Sequence, residues 1–249
     1  MYSRYYKFLF LGLLVVLNSA CGQFVQYEPG RKVQRTSSQN VTHHHVKVGE
    51  TLYSIAFAYG RDHRDVARWN KIRKPYTIFP KQKLRVIPVT SDRTKVKQHT
   101  KVKIKNTTAR KTITGNTKTD YIPNSKLKWL WPTQGKVVST FSIRDPGRRG
   151  IDIVGRKGQP VKAAAAGRVV YRGSGLRGYG NLIILKHNET YFSAYAHTED
   201  VVVKENEKVK LGQKLADMSN TGSDKTKLHF EIRRNGKPID PMRYLPKRR

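Results

Sequence analysis

Two kinds of hydrophobic spacing divide the chain, a helical spacing before residue 90 and a strand-like spacing after residue 130. In the first region, apolar side chains recur three and four residues apart at Leu52, Ile55, Ala56 and Tyr59. This spacing places them on one face of a helix, for which Thr51 is a suitable N-cap and Gly60 a suitable terminator. The pattern therefore predicts a short amphipathic helix between these two residues.

A second short helix is predicted directly after the first. Asp62 and Asp65 suit its first turn, while residues 47–48 and 84–87 have strand-like character. The expected order is strand, helix, helix, strand over about forty residues, a size at which nearly every apolar side chain is needed for the core. The expected core residues are Leu52, Ile55, Ala56, Val66, Ile72, Ile78 and Leu84.

Residues 89–128 have the composition of a linker. They are rich in Thr and Lys and have no sustained apolar period. Such a segment cannot bury enough apolar surface to fold alone. We therefore expect a flexible basic linker that lets the two flanking modules, residues 46–88 and 129–249, reach different points on one target.

The second module has the pattern of an all-β domain. Short apolar runs are bounded by Gly, Asn or Pro, and they lie at 137–141, 168–171, 182–186, 191–195, 201–203 and 228–233. Segments of this length with turn signals between them favour a sandwich or an open barrel. The pair Asn235-Gly236 after the last run predicts a tight hairpin turn.

The first twenty residues have the features of a secretory signal. Arg4 and Lys7 precede an apolar run at 8–17, which is too short for the roughly 20 residues of a membrane-spanning helix. The segment Leu17-Asn18-Ser19-Ala20-Cys21 resembles a bacterial lipobox, which implies a lipidated Cys21 after removal of residues 1–20. Plain secretion with a free cysteine is the alternative. Gly22, in place of Asp, implies the outer membrane by the same resemblance.

Neither the net charge of the chain nor the histidines of the tether, residues 21–45, identify a specific partner or site. The chain has 50 Lys and Arg against 17 Asp and Glu, a formal net charge of +33 that attracts anionic polymers in general. The basic residues are scattered and no nucleic-acid-binding motif accompanies them, so no nucleic acid is expected as a partner. The run His43-His44-His45 is interpreted as part of a solvated tether, with a metal site as the alternative.

The first module resembles a LysM domain. The resemblance rests on Val48-Gly49-Glu50-Thr51-Leu52, Ile78-Phe79-Pro80 and Gln82. It implies binding of peptidoglycan glycan strands in a shallow groove between two loops. The positions that this resemblance assigns to the groove are Gly49, Glu50, Thr51, Ile72, Tyr76 and Ile78. A capping or turn role is the alternative for each of them.

The second module resembles the LytM, or lysostaphin-like, zinc peptidase domain. The matching segments include Gly150-Ile151-Asp152-Ile153, Tyr195-Ala196-His197 and Leu228-His229-Phe230-Glu231. In that family an HxxxD and an HxH motif supply the zinc ligands, which maps Asp152 and His229 onto two of them. Arg148 stands at the first ligand position, and Lys227 at the catalytic first histidine of HxH. His197 matches a further catalytic histidine.

These two substitutions argue against a metal. Catalytic zinc needs three protein ligands and an open position, and only two ligands remain. Arginine cannot ligate, and a cation about 4 Å from a divalent ion is repelled by several kcal/mol at an effective dielectric near 20. We therefore expect no cofactor and no intact catalytic site, with Asp152 paired to Arg148 or Lys227. Zinc is expected only if His197 is recruited as a third ligand.

The whole arrangement resembles the NlpD-type lipoproteins that activate N-acetylmuramyl-L-alanine amidases. The resemblance implies a non-catalytic, outer-membrane protein that faces the periplasm, with the division septum as its place of action. It implies an amidase partner bound at a cleft formed by Arg148, Asp152, Tyr195, His197, Lys227 and His229. A zinc endopeptidase that cleaves peptidoglycan crosslinks and a pure wall-binding tether remain the alternatives.

Overall fold

The computed structural model describes residues 41–88 and 122–248. The signal, Cys21 and most of the predicted linker lie outside the described residues. Within those two ranges, no helix has the length and apolar character needed to cross a membrane.

The first domain has the predicted order of elements. It consists of β1 (His43–His45), α1 (Leu52–Ala58), α2 (His63–Trp69) and β2 (Lys83–Arg85). The two strands pair antiparallel, with His44 opposite Leu84. The first strand was expected at 47–48 but lies in the histidine run, because residues 47–49 turn toward α1 and leave Val48 86% exposed.

Side-chain caps fix both helices of this domain. The Thr51 hydroxyl accepts from the Ser54 amide, while Ser54 Oγ accepts from the Thr51 amide, which forms a capping box. Asp62 caps α2 through the Arg64 amide. The buried core contains Leu52, Ile55, Ala56, Val66 and Leu84, and Ile72 and Ile78 pack against it, as predicted.

The second domain is built from eleven strands and no α-helix within the described residues. The strands are β3 (Val137–Ser139), β4 (Ile151–Val154), β5 (Pro160–Lys162), β6 (Gly167–Gly173), β7 (Leu182–Lys186), β8 (Tyr191–Ala196), β9 (Thr198–Glu199), β10 (Lys208–Val209), β11 (Lys214–Met218), β12 (Lys227–Arg234) and β13 (Lys237–Ile239). Short 3-10 turns occupy Asn124–Lys126, Pro146–Arg148 and Pro241–Arg243.

The strands form two antiparallel sheets. The main sheet has the order β10-β6-β7-β8-β12-β4-β3, with β13 paired to β12, and a smaller sheet has the order β5-β11-β9. The Asn235-Gly236 turn between β12 and β13 has the positive φ angles, 50° and 75°, that its sequence predicts. Residues 201–203, predicted as a strand, form a connection in which Val203 is buried and Val202 is exposed.

Both faces of the main sheet are buried. Ile183 and Leu185 of β7 belong to the core shared with the smaller sheet, whereas Leu182 and Ile184 point to the opposite face. Alternate strand residues point to opposite faces, so a continuous apolar run such as β7 indicates cover on both sides. Phe57 of α1 belongs to the cluster on that second face. The first domain therefore packs on the second, where the linker composition predicted two separate modules.

Substitution Gly150→Ala is expected to lower the free energy of unfolding by about 2–3 kcal/mol, as overpacking of a dense interior does. A Cβ at Gly150 would overlap the Phe230 carbonyl oxygen and lie 2.8 Å from its carbonyl carbon, so β4 and β12 would have to separate. Gly147→Ala is the matched control, because its Cβ would meet only Asp145 Oδ1 at 3.4 Å. Chemical denaturation measures both; equal losses would contradict the close approach at Gly150.

Candidate functional site

The pairing of β4 with β12 brings the predicted ligand remnants together. Asp152 lies directly opposite His229 in the antiparallel register. The His229 Nδ1 atom is 2.6 Å from Asp152 Oδ1, and the Lys227 ammonium donates to Asp152 Oδ2 at 2.9 Å. Both carboxylate oxygens of Asp152 are therefore engaged by side chains of one strand.

Alternate residues of β12 continue this arrangement away from the cleft. His229 Nε2 lies 3.2 Å from Glu231 Oε1, and the Nε of Arg233 donates to Glu231 Oε2 at 2.7 Å. Tyr179 also donates to Glu231 Oε1, at 2.8 Å. Cations and anions alternate along the series Lys227, Asp152, His229, Glu231 and Arg233, so each buried charge has a partner of opposite sign.

This environment keeps His229 protonated at neutral pH. Burial alone lowers the pKa of an imidazole, but the hydrogen bonds to Asp152 and Glu231 outweigh it and raise the pKa of His229 to about 9. Burial opposes ionisation of Glu231 as well, yet the charges of Arg233 and His229 lower its pKa to about 2.

His197 also lines the cleft, in a backbone conformation that few non-glycine residues adopt, with φ at 61°. Its Nδ1 donates to the Thr221 carbonyl at 2.7 Å, which leaves Nε2 as the unprotonated nitrogen of the neutral ring. Burial lowers the pKa of His197. Its ring centroid is 6.3 Å from that of His229, so the two histidines share one cleft.

Two predicted cleft residues lie elsewhere. Arg148 donates to the carbonyl and hydroxyl oxygens of Thr140, at 2.9 and 2.8 Å, and does not line the cleft. Tyr195 is fully buried, and its hydroxyl accepts from the Ala164 amide at 2.8 Å. Tyr195 lies opposite Phe230, which points to the core when His229 points to the cleft. This corrects the expectation that Tyr195 belongs to the cleft rim.

The cleft also has charged and aromatic residues that the sequence interpretation left out. Arg177, Tyr179 and Asp224 line it together with Asp152, His197, Lys227 and His229. Arg177 and Tyr179 each adjoin Gly178, in a glycine-rich segment between two of the predicted apolar runs. The glycine-flanked Tyr179 was the available signal.

The residues of the cleft do not fit a catalytic zinc ion. Among the residues that the structure describes, no group of three or more His, Cys, Asp or Glu side chains is placed to hold a metal. Asp152 and His229 bond to each other, and the Lys227 ammonium occupies the remaining carboxylate oxygen. Asp152 and His229 alone do not supply the three ligands and the open position that catalytic zinc requires.

The residues assigned to the glycan groove lie on two loops of the first domain. Glu50 is held by His44 Nε2 at 2.7 Å and by the Lys47 amide at 2.8 Å. Gly49 has a φ of 80°, and Thr51 caps α1. The loop from residue 71 to 82 contributes the partly buried side chains of Ile72, Tyr76 and Ile78.

Comparison with known proteins gives matches for both domains. Residues 44–86 match the LysM domain, and residues 146–241 match Peptidase family M23. A zinc-containing peptidase from Vibrio cholerae aligns with 46% of this chain and 39% of its own, at 28% identity and a TM-score of 0.43. The two family matches thus define a LysM domain followed by a domain of Peptidase family M23.

Two relatives are similar over most of the chain. The lipoprotein NlpD/LppB homolog of Pseudomonas aeruginosa is 41% identical over 88% of this chain and 80% of its own length. The murein hydrolase activator NlpD of Escherichia coli is 39% identical over 82% of this chain and 67% of its own. The chain belongs to the NlpD/LppB family of lipoproteins.

Proposed function

We propose that this protein is a non-catalytic activator of an N-acetylmuramyl-L-alanine amidase and that its LysM domain binds peptidoglycan. The observation that carries this proposal is the ion pair between Lys227 and Asp152. An ammonium group holds the carboxylate that the family resemblance assigns to zinc, which favours protein recognition over hydrolysis. The name of the Escherichia coli relative, murein hydrolase activator, supports an amidase as the partner.

The proposed partner-binding surface is the cleft. Asp152, Lys227 and His229 are held by one another, so this part of the cleft presents a fixed pattern of charge that suits specific recognition. It includes Asp152, His197, Lys227 and His229, with Arg177 and Tyr179 added from the structure. Arg148 adjoins this surface through Gly147, while Tyr195 supports it from the core. The glycan-binding role of Gly49, Glu50, Thr51, Ile72, Tyr76 and Ile78 is part of the same proposal.

The proposed location is the periplasmic face of the outer membrane. A lipid on Cys21, which lies outside the described residues, would anchor the chain there, and the relatives' names include the word lipoprotein. The proposal includes the division septum as the place where the protein engages its amidase partner.

The test is release of dye from labelled sacculi by a purified amidase, with and without the full chain. The chain is first treated with a chelator that is then removed, so that only the amidase carries zinc. Stimulation of the amidase by a chain that releases nothing alone is expected. Lys227→Ala should reduce this stimulation about tenfold, the effect of about 1.4 kcal/mol at an interface. Lys225→Ala, an exposed lysine outside the cleft, is the matched control.

The same assay separates two other functions. Because Asp152, His197 and His229 share the cleft, a residual zinc endopeptidase is the second candidate. When the chain is supplied with zinc again after the chelator is removed, such an enzyme would release crosslink fragments without an amidase, and the double substitution Arg148→His, Lys227→His would increase that release. A wall-binding tether would sediment with sacculi and leave the amidase unchanged. Either result would overturn the activator proposal.

A further inference from the structure

Helix α1 has a second apolar face, which contacts the peptidase-like domain. Tyr53 and Phe57 lie one turn apart, away from the LysM core. Phe57 is only 5% exposed and packs in a cluster with Val170, Ile184 and Phe192 of the main sheet. The ring of Tyr53 lies 6.1 Å from that of Phe192. These contacts define the docked face of the LysM domain.

Arg233 of β12 contacts Phe57 of α1 directly. Its side chain is almost fully buried, and its guanidinium carbon lies 3.3 Å from the centroid of the Phe57 ring. One terminal nitrogen donates to the Phe57 carbonyl at 2.5 Å, at the C-terminal end of α1 where cations are favoured. Gly236 allows the close approach, because a Cβ there would overlap the carbonyl oxygen of Arg61.

Both loops that are assigned to glycan binding touch the peptidase-like domain. The Thr51 hydroxyl donates to the Val170 carbonyl at 3.1 Å, and the Lys74 ammonium lies 3.6 Å from Glu189. The Tyr76 ring packs edge-on against His63 at 5.3 Å, and His63 in turn packs against Phe192 at 5.4 Å. The proposed groove therefore opens toward the sheet on which the domain is docked.

We propose that docking of the LysM domain and glycan binding exclude one another, so that the docked arrangement is a closed state that a glycan strand opens. This inference rests on the proposed glycan-binding role of the LysM domain. A sugar chain that contacts Thr51 and Tyr76 needs the space filled by the strands around Val170 and Phe192. Because only open molecules bind glycan, the apparent affinity for glycan is the intrinsic affinity multiplied by the open fraction.

The docked LysM domain and the cleft lie on the same face of the main sheet. Residues Lys227, His229, Glu231 and Arg233 alternate along β12, so their side chains point to the same side. The cleft is at the Lys227 end of this row, and the LysM domain covers the Arg233 end. A glycan that opens the closed state would therefore uncover surface beside the proposed amidase site.

The experiment measures binding of a tetramer of β-1,4-linked N-acetylglucosamine to the full chain by calorimetry. Phe57→Ala weakens docking from the LysM side, and Phe192→Ala weakens it from the peptidase-like side, where no groove contact is altered. Each is expected to bind the tetramer at least about fivefold more tightly than the wild type, because more molecules are open. Arg68→Ala, which removes an exposed ion pair with Asp65 inside the LysM domain, serves as the control with wild-type affinity.

A spectroscopic readout follows docking independently of affinity. The Arg233 Nε–H resonance reports the buried guanidinium, and saturating tetramer is expected to shift it in the wild type toward its position in Phe57→Ala. Equal affinities in the wild type and both variants would overturn the inference, as would a tetramer complex that leaves this resonance unmoved. If neither the wild type nor the variants bind the tetramer or sacculi, glycan binding itself is refuted, and the inference with it.

Discussion

Substitution Glu231→Ala is expected to lower the free energy of unfolding by about 3–5 kcal/mol, the usual cost of removing one partner from a buried ion pair. Glu231 is fully buried between His229 and Arg233, and it is the anion that both cations contact. Without it, two buried positive charges face each other, and the Tyr179 hydroxyl loses its acceptor. Urea unfolding of the full chain, followed by circular dichroism, measures the loss.

The matched control for this variant is Glu189→Ala. Glu189 also contacts a lysine, Lys186, at 2.8 Å, but its side chain is 36% exposed. A solvent-exposed ion pair of this kind contributes at most about 1 kcal/mol. Glu231→Gln retains part of the hydrogen bonding and should lie between the two. A Glu231→Ala loss no greater than that of Glu189→Ala would show that the buried series of charges contributes little to stability.

Acidification is expected to destabilise the protein through His187. This side chain is 3% exposed; its Nδ1 donates to the Ala166 carbonyl at 2.8 Å, and its Nε2 lies 2.8 Å from Ser193 Oγ. Burial lowers the pKa of His187 from 6.5 to about 4. The unfolded chain therefore binds a proton before the folded one does, and the free energy of unfolding falls as the pH drops from about 6.5 toward 4.

The expected loss from this one group is about 3 kcal/mol between pH 7 and pH 4, at 1.36 kcal/mol for each unit of pKa difference. Denaturation at a series of pH values measures it. His187→Gln removes the titrating group, so its unfolding free energy should fall less steeply over the same range. Identical slopes in the wild type and the variant would assign the acid sensitivity to other groups.

Local signals predicted the LysM-type domain because its elements depend on neighbouring residues. Thr51 and Asp62 cap the two helices through amides two or three residues away, which a sequence displays directly. The strand at His43–His45 was missed because histidine has no marked strand preference. Its place in the sheet follows from pairing with Lys83–Arg85, forty residues later, which local spacing does not encode.

The docked face of α1 has a signal in the sequence. Tyr53 and Phe57 form an aromatic pair at helical spacing, turned away from the face that carries Leu52, Ile55 and Ala56. A helix that is apolar on two faces indicates contact on both of them. The unbroken apolar run of β7 likewise indicates that both faces of the main sheet are covered.

The contacts of the site could be predicted where charge determines them and could not be predicted where packing determines them. Opposite charges at Asp152 and Lys227 predicted an ion pair, and the two groups are 2.9 Å apart. Arg148 had the same charge, but its backbone lies in a 3-10 turn from which the guanidinium reaches Thr140. The burial of Tyr195 follows from strand register, since it pairs with Phe230 and not with His229.

The contact between Lys227 and Asp152 affects the conditions under which the cleft retains its geometry. A metal ion is exchanged with the surroundings, and its occupancy falls when sequestering agents or scarcity lower its concentration. The Lys227 ammonium is covalently part of the chain, so a cation is always available to pair with the Asp152 carboxylate. In the proposed activator role, the geometry of this surface does not depend on zinc supply.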